Sequence, residues 1–267
     1  MERVRQIRPG AVHPDVRYVG VDLAWKEREG SDRTAIAVMD DRGSLVGLSR
    51  ADTDRAIVDA VAEAGRPALV GVDAPLQVPN VTSNRPCERE LIRAGVSVLP
   101  ANRPYFDAWF GGCRGERLTA ALGAEGYPLT DGHAIPAGGS AVVEVYPYTF
   151  WRTVFPTVPQ YKKGRKAGRV EALVVMRDAL LGLLPAPPGE GALRLMRLPA
   201  SADCTRADLD RMGDALDAIA AAMTMWDLHA GLSGGARASR GVRLFGDLTD
   251  GYILASWPPL VAHARRK

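Results

Sequence analysis

The sequence predicts an α/β protein built on a mixed sheet, and two observations support that prediction. Apolar runs at 34–39 and 44–48 flank a DDRG turn at 40–43, a pattern typical of hairpin strands. An amphipathic helix predicted over 51–64 then leads directly into another apolar run. A strand that follows a helical crossover lies parallel to an earlier strand, so the sheet combines antiparallel and parallel pairs.

The first elements follow an N-terminal arm. Residues 1–15 are polar and show no periodicity, which predicts a loose arm. The run 17–23 predicts the first strand, ahead of the hairpin, and Gly65 lies just beyond the end of the predicted helix. The continuous apolar run 68–72 is typical of a central strand that is buried on both faces.

The motif VGVD ends both of the strands that we expect to be parallel neighbours. It occurs in YVGVDLAW and in ALVGVDAPL, with Asp22 and Asp73 at equivalent positions. Aspartate is disfavoured in strands and costly to bury without a partner, so its repetition indicates a site rather than a core. Ligands bind at the carboxyl ends of parallel strands in open sheets. The sequence therefore predicts that these two carboxylates lie side by side.

An insertion is predicted at about residues 75–140. Pro, Gly and Asn are frequent in it, and a short helix is predicted over 88–94. The aromatic group at 105–110 could stack on nucleic-acid bases, but we favour its packing as a small core of the insertion.

Beyond the insertion the sequence predicts one strand and two helices. The strand covers 141–146, carries Glu144 and is stopped by Pro147. The helices are predicted over about 168–184 and 205–230.

The last predicted helix brings two more carboxylates to one face. Asp214 and Asp217 lie three residues apart in DALDAIAAAMTMW, and apolar residues follow them, so this helix packs against something. Capping would also explain acids near a helix start. However, Asp208 and Asp210 already occupy the first predicted turn. We therefore interpret Asp214 or Asp217 as part of the acidic site.

These acids together predict a metal site. Asp22, Asp73, Asp214 and Asp217, with Glu144 nearby, would concentrate negative charge that only cations could hold together. Oxygen ligands without His or Cys motifs favour Mg²⁺ or Mn²⁺. Two such ions about 4 Å apart can activate a water and stabilise the leaving oxygen of a phosphodiester. The three cysteines are widely spaced and form no CxxC pair, which argues against a zinc ribbon.

Six motifs occur in a fixed order: GVDLAW (20–25), GVDAPLQVP (71–79), RPCERELIRAG (85–95), EVYPYTFW (144–151), YKKGR (161–165) and DALDAIAAAMTMW (214–226). They resemble the motifs of the DUF429 proteins, predicted nucleases of the ribonuclease H-like superfamily. The resemblance covers about residues 18–257. It implies a five-stranded sheet of order 3-2-1-4-5 with strand 2 antiparallel. It also implies catalytic acids at Asp22, Asp73 and Asp214 or Asp217, and leaves Glu144 as a family feature of uncertain role.

Two groups of residues are candidates for binding nucleic acid, either DNA or RNA. Arg85, Glu88 and Arg89 follow the second aspartate closely, and guanidinium groups suit phosphate. An equally good alternative is a solvated helix face with internal ion pairs. A basic run at 161–169 could bind a phosphate backbone through the residues Lys162, Lys163 and Arg165, although such runs often serve only as soluble surface.

Two other functions stay open from the sequence. One is a phosphotransferase of the actin-like and sugar-kinase class, for which the glycines at 138–139 and 234–235 are weak phosphate-turn candidates and the chain is short. The other is a non-catalytic scaffold on the same fold that binds nucleic acid or protein.

The remaining expectations concern organisation and location. We expect one ribonuclease H-like domain over residues 16–260 and a basic tail at 261–267. The net charge of +3 permits a polyanionic partner without demanding one. No run approaches the roughly 20 apolar residues of a membrane span, so we expect a cytoplasmic protein without a membrane partner.

Overall fold

The computed structural model describes residues 15–27, 33–132, 135, 139–198, 203–232 and 241–258. In these residues the strands are β1 (Arg17–Asp22), β2 (Thr34–Met39), β3 (Leu45–Ala51), β4 (Ala68–Asp73), β5 (Ala141–Glu144), β6 (Gly241–Asp247) and β7 (Gly251–Trp257). The helices are α1 (Asp54–Glu63), α2 (Pro86–Arg93), α3 (Arg103–Phe110), α4 (Arg114–Ala124), α5 (Pro147–Val154), α6 (Lys166–Leu183), α7 (Glu190–Leu195) and α8 (Arg206–Leu232). None of these helices is both long and apolar enough to cross a membrane.

Some sequence predictions lie outside the described residues. They are the loose arm, apart from Asp15, the basic tail, and the glycine candidates at 138 and 234–235.

The central sheet has the strand order β3-β2-β1-β4-β5. β2 is antiparallel to both of its neighbours, whereas β4 is parallel to both β1 and β5. This confirms the predicted mixed α/β sheet of order 3-2-1-4-5. In the β1–β4 pair, Gly20 lies opposite Gly71 and Asp22 lies opposite Asp73. Because side chains alternate along a strand, the glycine and aspartate of each motif share one face of the sheet.

Helix α8 packs across that face because the two glycines leave room for its backbone. A Cβ on Gly20 would lie 1.9 Å from the carbonyl oxygen of Ala218, and one on Gly71 would lie 3.1 Å from that of Ala221. Asp217 directly precedes Ala218 in the chain. The close approach that requires glycine in VGVD therefore also brings the Asp217 carboxylate to the sheet.

The insertion contains more regular structure than the sequence predicted. The helix predicted over 88–94 is present as α2, whereas α3 and α4 were not predicted. The buried side chain of Arg114 anchors α4, because it donates to Asp54 Oδ1 at 2.6 Å and to the Ala24 carbonyl at 2.8 Å. The insertion is thus fastened to the loop that follows β1.

The aromatic group of the insertion packs as a small core, which confirms the favoured prediction. Phe106 is buried, and its ring centroid lies 5.3 Å from that of Trp25 and 5.8 Å from that of Phe110. Trp109, in the same helix, is 69% exposed.

Two features after the insertion differ from the prediction. The strand ends at Glu144 rather than Tyr146, and Pro147 begins helix α5 at a position where its missing N–H costs nothing. The β6–β7 hairpin was missed, although two apolar runs around the DLTDG turn are a hairpin signal. This hairpin supports β5, since the Glu144 amide donates to the Tyr252 hydroxyl at 3.1 Å.

Candidate functional site

Four of the predicted acids, Asp22, Asp73, Glu144 and Asp217, line one cavity of about 340 Å³ at the carboxyl ends of β1 and β4. Asp22 and Asp73 come from the paired strands, and Asp217 comes from α8. The wall includes aromatic and apolar side chains: Trp25, Leu99, Tyr146, Tyr148 and Ile253. The cavity is therefore lined by acidic side chains and by aromatic and apolar side chains that suit a flat or apolar ligand group.

Asp217 is held in place by three donors. Its carboxylate is buried, and Oδ1 accepts hydrogen bonds from Trp151 Nε1 and from the Tyr161 hydroxyl, both at 2.8 Å. Oδ2 lies 2.5 Å from the ammonium nitrogen of Lys162. Charge-assisted bonds of this kind are the strong ones, so the position of Asp217 is well fixed.

Lys162 lies between two of the acids. Its Nζ is 3.9 Å from Asp22 Oδ2 as well as 2.5 Å from Asp217 Oδ2, and half of the side chain is exposed. Burial lowers the pKa of Lys162, but the carboxylates of Asp217 and Asp22 outweigh it and hold the pKa well above its usual value. The lysine therefore carries its positive charge into the acidic site.

The two strand aspartates resist ionisation. Burial, followed by repulsion from Asp217, raises the pKa of Asp73 to about 7 against the attraction of Lys162. Burial also raises the pKa of Asp22 well above its usual value, helped by the negative charges of Asp217 and Asp73. A further cation at this place would relieve that repulsion.

Glu144 belongs to a buried ion cluster that forms part of the cavity wall. Arg85 donates to Glu144 Oε1 at 2.6 Å and to Oε2 at 2.9 Å, and the Leu76 amide donates to Oε2 at 2.8 Å. Arg85 Nε also donates to Glu88 Oε1 at 2.8 Å, and all three charged side chains are buried. The structure therefore places Arg85 and Glu88 in internal ion pairs, as the alternative interpretation expected, but these pairs are buried and do not form a solvated helix face.

Asp214 lies one helical turn before Asp217 but has a different partner. Its Oδ2 accepts a hydrogen bond from Arg50 of β3 at 3.0 Å, and the side chain is 26% exposed. Burial raises the pKa of Asp214, and Arg50 opposes that effect. Of the two aspartates predicted to reach the site from the last helix, Asp217 is the one that lines the cavity.

The remaining predicted substrate-binding residues lie at the surface. Arg89 is exposed and donates to the Asn84 carbonyl. Lys163 and Arg165 are also exposed, in the segment that carries Lys162.

The fit of a metal ion rests on Asp22 and Asp73. Within the described residues no group of three or more His, Cys, Asp or Glu side chains is spaced to hold a metal, and Asp217 is occupied by its own donors. Asp22 Oδ2, however, is a buried oxygen that accepts no hydrogen bond from the described part of the chain. Carboxylate oxygens without nitrogen or sulfur ligands suit Mg²⁺ or Mn²⁺. The donor set therefore fits one hard cation beside Asp22 and Asp73.

The sequence did not identify Trp151 and Tyr161 as partners of Asp217, and it did not predict that Lys162 lies between Asp217 and Asp22. Their contacts bridge 66 and 56 positions along the chain, which no local pattern reveals. The sequence contains one indication that these residues belong to the site: Trp151, Tyr161 and Lys162 lie in the motifs EVYPYTFW and YKKGR.

Residues 20–237 match a protein family described as "Protein of unknown function (DUF429)". No curated protein and no solved structure matches the chain.

Proposed function

Since the chain belongs to the DUF429 family, whose description assigns no function, we propose its activity from the site: a divalent-metal-dependent nuclease that hydrolyses phosphodiester bonds. The observation that carries the proposal is the register of the parallel strands, which sets Asp22 opposite Asp73 at the edge where Asp217 arrives from α8. Carboxylates in this number on neighbouring elements are what metal-assisted phosphodiester hydrolysis needs.

Mg²⁺ or Mn²⁺ held by Asp22 and Asp73 would activate a water and stabilise the negative charge that develops on the phosphate. The chain supplies the other parts. Trp151 and Tyr161 orient Asp217, which in turn holds the Lys162 ammonium at the cavity mouth. An exposed ammonium there can contact a phosphate oxygen of the substrate.

The surroundings favour nucleic acid as the substrate class. Lys163 and Arg165 are exposed beside Lys162 and can follow a phosphate backbone. The aromatic rings of Tyr146 and Tyr148, with centroids 5.7 Å apart, form part of the cavity wall and offer faces for a base.

The test converts Asp22 and Asp73 separately to Asn and measures cleavage of single- and double-stranded DNA and RNA with Mg²⁺ and with Mn²⁺. We expect each variant to lose about a hundredfold or more in rate, because a metal ion contributes several kcal/mol to the transition state. Asp41→Asn, in the exposed turn at the opposite edge of the sheet, is the matched control and should leave the rate unchanged.

Undiminished cleavage in both site variants would refute the assignment. Salt-sensitive binding of nucleic acid without any cleavage would instead indicate a scaffold.

A further inference from the structure

The segment that carries Lys162 is anchored to α8, so this lysine is not a freely moving surface cation. The Tyr161 hydroxyl donates to Asp217, and the Tyr161 carbonyl accepts from Arg169 Nε at 2.7 Å. Arg169 is buried and also pairs with Asp210 of α8 at 2.7 Å. These contacts fix the backbone on which Lys162 is carried.

Lys162 occupies a position that a second metal ion would need. In two-metal sites the ions lie about 3.5–4 Å apart and share carboxylates. Here Nζ lies 2.5 Å from Asp217 Oδ2 and 3.9 Å from Asp22 Oδ2, so the ammonium already takes the space between these two acids. The opposite oxygen of Asp217 accepts from Trp151, and the Tyr161 hydroxyl lies 2.8 Å from both oxygens.

The charges of the side chains at the site also indicate one divalent cation. Asp22, Asp73 and Asp217 carry three negative charges when ionised, and Lys162 neutralises one of them. Glu144 and Glu88 share Arg85, and Asp214 accepts a hydrogen bond from Arg50. The two charges that remain among the three aspartates match a single divalent cation, whereas two such cations beside the lysine would leave these four groups with a net positive charge.

We propose that Lys162 replaces the second metal ion, so that the site works with one divalent cation held by Asp22 and Asp73 and one resident ammonium held by Asp217. This inference rests on the proposed nuclease function. It states how many metal ions that site takes and gives Lys162 the task of contacting the substrate phosphate on the side away from the metal.

The experiment counts bound Mn²⁺ by electron paramagnetic resonance of the free ion, with calorimetric titration of the same samples. We expect about one Mn²⁺ for each wild-type chain and about two for Lys162→Met, because the variant removes the ammonium from Asp217 Oδ2, leaves the Tyr161 hydroxyl as the donor to that oxygen, and adds one net negative charge. Lys162→Arg keeps the charge and should bind about one. Lys163→Met, which changes the exposed neighbour, should also bind about one.

Two ions in the wild-type protein would overturn the role of Lys162 while leaving the nuclease proposal intact. The same would follow if Lys162→Met folded, as judged by circular dichroism, and still bound one ion. If Lys162→Met did not fold, the counts for the wild type and Lys162→Arg would decide, since two ions in either contradict the inference. Absence of Mn²⁺ binding in the wild type, by contrast, would remove the metal site and with it both proposals.

Discussion

Replacing Asp73 by Asn should stabilise the metal-free protein. Burial, together with repulsion from Asp217 and Glu144, raises the pKa of this carboxyl from 3.8 to about 7 in the folded chain, despite the attraction of Lys162. At neutral and higher pH the fold therefore holds a negative charge that it disfavours. Asparagine has nearly the same shape and no charge.

The size of the effect follows from the pKa shift. Each pKa unit corresponds to about 1.36 kcal/mol, so the shift sets an upper limit of about 4 kcal/mol. Asp73 is partly exposed, and solvent screens part of this energy. We expect the free energy of unfolding of Asp73→Asn to exceed that of the wild type by about 1–3 kcal/mol at about pH 8.

The pH dependence of the free energy of unfolding tests separately whether Asp73→Asn is stabilising. A raised folded pKa means that the protonated carboxyl favours folding, fully below 3.8, and that this contribution is lost as the pH rises through about 7. The advantage of Asp73→Asn should therefore shrink between about pH 8 and about pH 5. Urea unfolding followed by circular dichroism in EDTA measures both quantities, with Asp41→Asn as the control.

An Asp73→Asn protein that is less stable than the wild type at about pH 8 would refute the reasoning, as would an advantage that does not change with pH. Either result would mean that the carboxylate is not under electrostatic strain in the metal-free fold.

Two further changes test the packing around the site. Gly20→Ala places a Cβ 1.9 Å from the Ala218 carbonyl oxygen, so thermal unfolding should show a loss of about 3 kcal/mol. Gly182→Ala in α6, where a Cβ meets nothing within 4 Å, should be neutral or slightly stabilising. Arg85→Met leaves Glu144 and Glu88 buried without their cation and should cost about 3–5 kcal/mol in urea unfolding. Arg89→Met, which alters an exposed neighbour, should change little; equal losses in both variants would contradict the assignment of Arg85 to a buried ion cluster.

Local patterns were enough to predict the elements that build the sheet. The period of apolar residues and the DDRG turn predicted β2 to its exact ends and β1, β3 and β4 to within a few residues. The helix before the second VGVD strand is present, and it makes the crossover that the parallel pairing requires. The strand order came from the resemblance, since spacing alone does not rank strands across a sheet.

The insertion and the late hairpin were harder to predict because short elements carry weak periodic signals. Helices α3 and α4 span 8 and 11 residues and lie among Pro and Gly. Their positions depend on distant contacts, such as that of Arg114 with Asp54, which are 60 residues apart.

The sequence by itself determined that an aspartate ends each of two parallel strands, because the repeated motif and the helical crossover between its copies are both visible along the chain. Only the tertiary structure decided which other charges meet them. Asp214 and Asp217 are equivalent in a helical pattern, yet Arg50 pairs with the first, while Trp151, Tyr161 and Lys162 converge on the second. Arg85 and Lys162 both line the cavity, yet Arg85 is buried and pairs with Glu144, whereas Lys162 is half exposed and lies between Asp22 and Asp217. Burial and charge pairing arise between segments that are far apart in the chain, and for that reason they appear only when the chain is folded.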